Sequence, residues 1–251
     1  MKRSQFLLTR FNCPASHAVE NLGVNDMWLA HRFILFENFC LPSVLSQDTK
    51  DFHWIILIDE RTSAQWVDRL TNNLSKVSAK STVLPVERFS ELRVIDEIKM
   101  NVTDEEQVIL TSRLDNDDAI PRTFLSTVLN LTHNLCPNKY YAINFSNGCM
   151  LHKSGIYEKR PLDLNPFISA MSPLQDLKTS FNLPHHKMDG FGTVINVDDS
   201  FAGINSIMWM QVVHKQNISN RLSRGRNWKM NEKDIANFYI TKNWKQLLSA
   251  L

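Results

Sequence analysis

Six consecutive residues, Arg113-Leu114-Asp115-Asn116-Asp117-Asp118, concentrate the chemistry of this sequence: three carboxylates, a carboxamide and a guanidinium directly behind the strand-like run Val108-Ile109-Leu110-Thr111-Ser112. In a chain leaving a strand, side chains two apart point the same way, so Asp115 and Asp117 are expected to face one cation. Carboxylate oxygens suit hard divalent ions, Mn2+ or Mg2+, which keep open positions for the phosphates of a substrate. Such an ion neutralises the charge that builds on a diphosphate leaving group, and Arg113 adds a guanidinium fork to the same phosphates. Asp118 is placed to hold Arg113 or a metal-bound water. The same residues also have a plainer reading, as turn and helix-cap residues ahead of Pro121.

The elements that must position this turn are legible as alternating strands and helices. Phe6-Leu7-Leu8-Thr9 and Trp54-Ile55-Ile56-Leu57-Ile58 are short apolar runs that end in polar groups, Arg10 with Asn12 and Asp59 with Arg61. Buried parallel strands have this form, and their carboxyl ends are where open α/β sheets bind ligands. Between them, Asn25 or Asp26 caps a helix carrying Trp28, Leu29, Phe33, Phe36 and Phe39, expected to stop near Pro42. Thr62 is expected to cap a helix with apolar positions at 66, 67, 70, 74 and 77. Thr82 to Val86 reads as a strand near a sheet edge, because Pro85 cannot donate a ladder bond. A helical segment from Leu92 to Met100 follows, and Pro121 is expected to open the helix after the acidic turn. The pattern predicts an α/β fold, with a mainly parallel, doubly wound sheet flanked by helices.

The second half changes character. Tyr140 to Phe145, Cys149 to His152 and Ile156-Tyr157, punctuated at Asn147-Gly148 and Ser154-Gly155, predict a β-meander. Thr193 to Val197 and Ile207 to Val213 are further strand candidates, the latter ending on His214. The tail from Lys229 reads as helical and peripheral. No internal repeat or low-complexity linker divides the 251 residues, so one domain is expected, with 1–135 as a nucleotide-binding half and 136–251 as an acceptor-binding half.

Composition narrows the class. With 43% hydrophobic and 22% charged residues the chain is expected to bury a core, and a net charge of +2 offers no strong field for nucleic acid. Cys13, Cys40, Cys136 and Cys149 form no CxxC pair, which predicts free thiols in a reducing compartment. No run approaches the length of a membrane span, and the apolar start is interrupted at Thr9-Arg10, so the expected location is the cytoplasm. Trp28, Trp54 and Trp66 fall on apolar faces and read as core, as His31 and His152 read as structural. Trp209 and Trp228 are less constrained and are candidates for an acceptor site. His185-His186 read as loop, and Arg221, Arg224 and Arg226 as a solvated basic face or a lid over phosphates.

Thr9-Arg10-Phe11-Asn12, Trp28 with Arg32, Leu41-Pro42-Ser43 with Gln47, Trp54 to Asp59 with Thr62, Arg113 to Asp118, and His214 with Asn217 resemble, in order, the putative rhamnosyltransferase family of bacterial GT-A-like glycosyltransferases. The resemblance implies a GT-A-like fold with a β-rich acceptor side. It places Thr9 and Arg10 near the nucleotide of a nucleoside-diphosphate sugar, Asn12 with them, and Asp59 on the base or ribose. It makes Asp115 and Asp117 the D-x-D carboxylates and His214 a further metal ligand. It also implies a glycan or lipid-linked glycan acceptor, hence peripheral association with the inner membrane face. Transfer to an acceptor hydroxyl by inversion requires a carboxylate base, for which Asp176 and Asp189 are the candidates in the acceptor half. Two rival readings remain open at this level: a metal-dependent phosphoesterase or nuclease, and a non-catalytic nucleotide-sugar-binding protein.

Overall fold

The computed structural model describes residues 2–14, 23–103, 106–159, 164–198, 207–217 and 229–251. Arg221, Arg224, Arg226 and Trp228 lie outside them. Four parallel strands, β1 (Lys2–Arg10), β2 (His53–Asp59), β3 (Lys80–Val86) and β4 (Glu106–Arg113), alternate with helices α1 (Asp26–Leu35), α2 (Leu41–Leu45), α3 (Ala64–Leu74) and α4 (Glu91–Met100). After α5 (Phe124–Thr132) come β5 (Tyr141–Phe145), β6 (Gly148–His152), β7 (Gly155–Lys159), β8 (Ser169–Pro173), β9 (Thr193–Val197), β10 (Met210–Val213), β11 (Lys229–Met230) and α6 (Trp244–Ala250). The main sheet runs β3-β2-β1-β4-β8-β5-β9, and a second sheet runs β10-β6-β7-β11. In the main sheet β8 is antiparallel to both β4 and β5, and the other pairs are parallel. The expected architecture, a mainly parallel sheet with helices on both faces and a β-rich second half, is the one observed, and β3 sits at the predicted edge.

Side-chain parity along the central strands decides what reaches the site. Leu7 of β1, Ile56 of β2 and Leu110 of β4 pack with Leu29, Phe33, Leu70 and Leu125 on one face. Phe6 and Leu8, Ile55 and Leu57, and Ile109 pack with Val94, Ile98, Leu177 and Phe181 on the other. Both faces are dry, which is why these strands read as continuous apolar runs. Because β1 leads to β2 and β3 on one side while β4 lies on the other, the strand order reverses between β1 and β4. Ligands of open α/β sheets enter at that reversal, outside the carboxyl ends.

Several local expectations are corrected. The first helix does not stop at Pro42: a π-helical turn, Phe36–Cys40, re-phases the backbone, and the helical path continues through Pro42 to the end of α2 at Leu45. Ser63, not Thr62, precedes α3, and the Thr62 hydroxyl donates to the Asp59 carbonyl at 2.6 Å. Pro121 lies in a turn before α5, whose first amide, that of Phe124, donates back to the Pro121 carbonyl at 2.9 Å. The meander is divided: β5 joins the main sheet while β6 and β7 form a hairpin in the second. Gly148 sits at the crossing between the sheets, and a Cβ there would overlap the Trp209 ring. Trp209 is fully buried, stacked on Phe167 with centroids 5.3 Å apart, so it is core and not an acceptor platform. The tail is not peripheral. Ile235, Phe238, Trp244 and Leu248 pack with Leu35, Phe39, Cys149, Leu151, Met210 and Val212 to form the core of the second sheet.

Candidate functional site

The acidic turn hangs from β4 at the strand-order reversal. The Leu114 amide donates to the Leu8 carbonyl at 3.0 Å, and the Asp118 amide folds back to the Asp115 carbonyl at 3.2 Å. Up to that fold the strand alternation persists: Leu114 enters the α1-side core, while Arg113 faces Phe181 on the α4 side. Asp115 keeps to the α4 side, its Oδ1 3.9 Å from Arg10. The fold then breaks the alternation and swings Asp117 to the α1 side. The two carboxylates expected to point together therefore meet different partners.

Asp117 is the most heavily bonded of them. Its Oδ2 accepts from Arg32 Nη1 at 2.7 Å, from His214 Nε2 at 2.9 Å and from Asn217 Nδ2 at 3.4 Å. Burial alone would push this carboxyl up, but the His214 hydrogen bond and the Arg32 guanidinium outweigh it and hold the carboxyl below its usual range. Arg32 also donates to Asn116 Oδ1 at 3.3 Å and lies over the Trp28 ring at 4.8 Å. His31 brings its ring to 5.2 Å from that of His214; it is buried, and neither of its ring nitrogens has a hydrogen-bond partner. Burial, then His214 and Arg32, lower its pKa to about 4, so it is neutral at pH 7.

Asp118 is a fastener. Its Oδ1 accepts the Val212 amide at 2.9 Å, and the Ala119 and Met210 backbones exchange bonds of 3.1 and 2.9 Å. These contacts dock β10 against the turn and so bring His214, at the end of β10, to Asp117. Burial and then the neighbouring Asp117 and Asp115 carboxylates push Asp118 well above the ordinary carboxyl range.

Arg113 does not stand open. Its Nε donates to the Ser180 carbonyl and its Nη2 to the Leu183 carbonyl, and burial with the nearby Arg10 lowers its pKa to about 10. Thr9 is fully buried and its hydroxyl accepts from the Trp54 indole at 2.9 Å, so at the end of β1 it is Arg10, not Thr9, that reaches the cleft. Asn12 bridges strand ends, donating to the Gly23 carbonyl and to Thr62 at 2.8 Å each, and accepting from the Asp59 amide at 3.3 Å. Asp59 is fully buried and grips Arg61, with Nη2 to Oδ2 at 2.7 Å, so the exposed group at the β2 end is the guanidinium.

Of the two base candidates, Asp176 is not brought to the turn. Asp176 follows β8, which runs antiparallel to β4 with Pro173 beside Val108, so it lies at the opposite end of the sheet, bonded to Tyr140 at 2.5 Å. This corrects its assignment as base: β8 runs antiparallel to β4 and carries the chain away from the turn. Asp189 is exposed in a 3-10 turn, His185–Gly190, where its carboxylate accepts from the Gly190 amide at 3.0 Å. Arg32 and His31 were the residues missed as site members. Arg32 carried a signal, a charge inside the apolar stripe Trp28-Arg32-Phe36, whereas His31 carried none. Leu41-Pro42-Ser43 with Gln47 is a brace: Gln47 donates to the Ser43 and Pro121 carbonyls at 3.0 and 2.9 Å and accepts from Leu125 at 3.2 Å.

Among the described residues, no group of three His, Cys, Asp or Glu side chains stands ready around a metal ion. The donor chemistry nevertheless fits one. Asp117 Oδ2 and His214 Nε2, 2.9 Å apart, have the separation of neighbouring ligands on an octahedral ion with bonds of about 2.1 Å. Arg32, on the same oxygen, is the partner a cation must share or displace.

The acidic strand exit thus lies at the order reversal of a mainly parallel sheet and is met there by an imidazole delivered from the second sheet. The family model described as "Putative rhamnosyl transferase" matches residues 6–226, and the chain belongs to that family. No curated protein matches it in sequence. Among solved structures it is similar to a mannosyltransferase from Pyrobaculum calidifontis in complex with GDP-Man and Mn2+, at 10% identity, covering 85% of this chain and 58% of that one, TM-score 0.48. It is also similar to a 4-diphosphocytidyl-2C-methyl-D-erythritol synthase from Anaerococcus prevotii, at 12% identity, covering 78% and 87%, TM-score 0.42. A nucleotide-diphospho-sugar transferase, so described, from Desulfovibrio desulfuricans gives 12% identity, 79% and 80% coverage, and TM-score 0.41.

Proposed function

We propose that the chain is a glycosyltransferase that moves a sugar, rhamnose by the family's description, from a nucleoside-diphosphate donor to a hydroxyl of a glycan or lipid-linked glycan. The observation that carries this reading is the pairing of Asp117 with His214 at the mouth of the strand-order reversal. Asp117 and His214 would hold a divalent ion, Mn2+ or Mg2+, which when bound would neutralise the diphosphate leaving group, whereas Asp115, turned toward Arg10, stands apart from that pair. Arg10 reaches the cleft beside Asp115 and binds phosphate oxygens, while Arg113 shapes the wall by holding the segment from Ser180 to Leu183. Arg32 keeps Asp117 ionised and oriented. Asp118 keeps His214 in reach by holding the strand that ends in it. Residues 1–135 supply the donor side and 136–251 the acceptor side.

The test is nucleotide release from dTDP-rhamnose, UDP-glucose and GDP-mannose, with Mn2+ or with EDTA. Release that needs the metal and falls at least a hundredfold in Asp117→Asn is expected. Equal release in EDTA would remove the metal role. No release from any donor, with cleavage of a bare phosphodiester instead, would replace transfer with phosphoester hydrolysis.

A further inference from the structure

On the α4 side of the turn lies a cavity of about 360 Å³, lined by Arg10, Phe89, Arg113, Phe181, Leu183, Pro184, His185 and His186. Its lining carries two guanidinium groups and no carboxylate. The Arg10 guanidinium lies 5.8 Å from the Phe89 ring centre and 5.2 Å from that of Phe181, and Arg113 lies 5.2 Å from Phe181. Phe89 and Phe181 meet edge to face at 5.4 Å, which makes a rigid apolar floor beneath the charges. Arg113 is anchored by the Ser180 and Leu183 carbonyls, so its charge is fixed in place. Arg10 is its more open counterpart: its side chain is 36% exposed, and the carboxylate of Asp115 stands 3.9 Å away, at the limit of an ion pair. Burial and then Arg113 lower the His185 pKa to about 4, so that ring adds a neutral polar group and no charge at pH 7.

Guanidinium forks match phosphate oxygens, and aromatic faces match a flat ring or an apolar chain. We infer that this cavity is a phosphate site that works without a metal ion, taking a phosphate on Arg10 and Arg113 and the flat or apolar body attached to it on Phe89 and Phe181. Two sources have this chemistry, the donor nucleotide and a phosphate-bearing lipid acceptor. The inference rests on the glycosyl-transfer reading for that choice of sources. The binding itself is a property of the cavity.

The test is isothermal titration calorimetry in EDTA, with dTDP, UDP and farnesyl phosphate as probes, on the wild type and on Arg10→Gln and Phe181→Leu. Expected is binding of at least one probe in EDTA, weakened tenfold or more by Arg10→Gln and by Phe181→Leu. Arg10→Lys, which keeps the charge, should recover part of the loss and so separates lost binding from lost folding. Tighter binding of the nucleotides assigns the cavity to the donor, and tighter binding of farnesyl phosphate assigns it to the acceptor; both support the site. No binding in EDTA, or binding indifferent to Arg10→Gln and Phe181→Leu, overturns it. Failure of the transfer reading shows differently, as intact metal-free binding with no sugar released from any donor.

Discussion

At the scale of single residues, the site is an arrangement of compensated charges. Arg32 and Asp117 are both buried, with side chains only 8% and 10% exposed, and removing one partner strands the other in a poorly solvated place. Arg32→Ala is therefore expected to cost about 3–5 kcal/mol, measured by urea unfolding, while an exposed pair such as Lys245 with Glu232 would give no more than about 1 kcal/mol. Asp118 permits a sharper comparison. Asp118→Asn retains an oxygen to accept the Val212 amide and removes a carboxyl that burial and two neighbouring carboxylates disfavour, so stability at pH 7 should hold or rise. Asp118→Ala leaves that amide unpaired and should cost about 1–3 kcal/mol. Equal losses in both variants would show that the charge, and not the hydrogen bond, is what Asp118 contributes. These partnerships were only partly legible beforehand. The D-x-D spacing located the turn, but nothing local announced that the Asp118 amide would fold back on Asp115 and send the two carboxylates to opposite faces.

At the scale of elements, what was legible was whatever depends on short-range pattern. β1, β2 and β4 are apolar runs because both faces of each are covered, and Pro85 marked an edge strand because an edge tolerates a missing donor. What was not legible depends on long-range pairing: β8, a five-residue strand without a strong pattern, inserts antiparallel between β4 and β5, and its direction decides where Asp176 lies. The π-helical turn is similarly silent in sequence, yet it lets Glu37 face α3, where Arg69 donates twice at 2.8 and 2.7 Å and Asn73 once at 2.7 Å. Burial alone would raise the Glu37 carboxyl, but these bonds outweigh it and lower its pKa. A lowered carboxyl contributes stability that is present above the unfolded value, about 4.3, and is lost as pH falls through the folded one. Urea midpoints of the wild type and Glu37→Gln should thus differ most at pH 7 and converge toward pH 3. A gap that persists at pH 3 would mean that the clamp acts by packing, not by charge. Gly148 poses the complementary case. Gly148→Ala forces a Cβ into the Trp209 ring and is expected to cost about 1–3 kcal/mol or more, with a change in tryptophan emission as that ring is displaced.

At the scale of the whole molecule, two sheets are held in register by one helix run and one tail. Among the described residues no helix is long and apolar enough to cross a membrane. α1 and its π-helical extension serve both cores: Phe33 and Phe36 pack on the main sheet, while Leu35 and Phe39 pack with Met210 and Val212 of β10. The tail completes the second core with Trp244 and Leu248, both nearly inaccessible. His214 therefore depends on residues 30 positions further along the chain, because the strand that carries it is covered on one side by α6. Trp244→Ala empties that cover and is expected to cost about 3–5 kcal/mol. The loss should be local before it is global, since the main sheet has its own cores on both faces. Amide hydrogen exchange reads this directly: in Trp244→Ala the amides of Met210 to Val213 should lose protection while those of Phe6 to Thr9 keep theirs. Binding of a nucleoside diphosphate in Mn2+ should weaken in parallel with the loss at β10, because Asp117 loses the imidazole that β10 delivers. Equal loss of protection in β1 and β10 would instead mean that the two sheets unfold as one unit, and that the tail supports the fold as a whole and not the site.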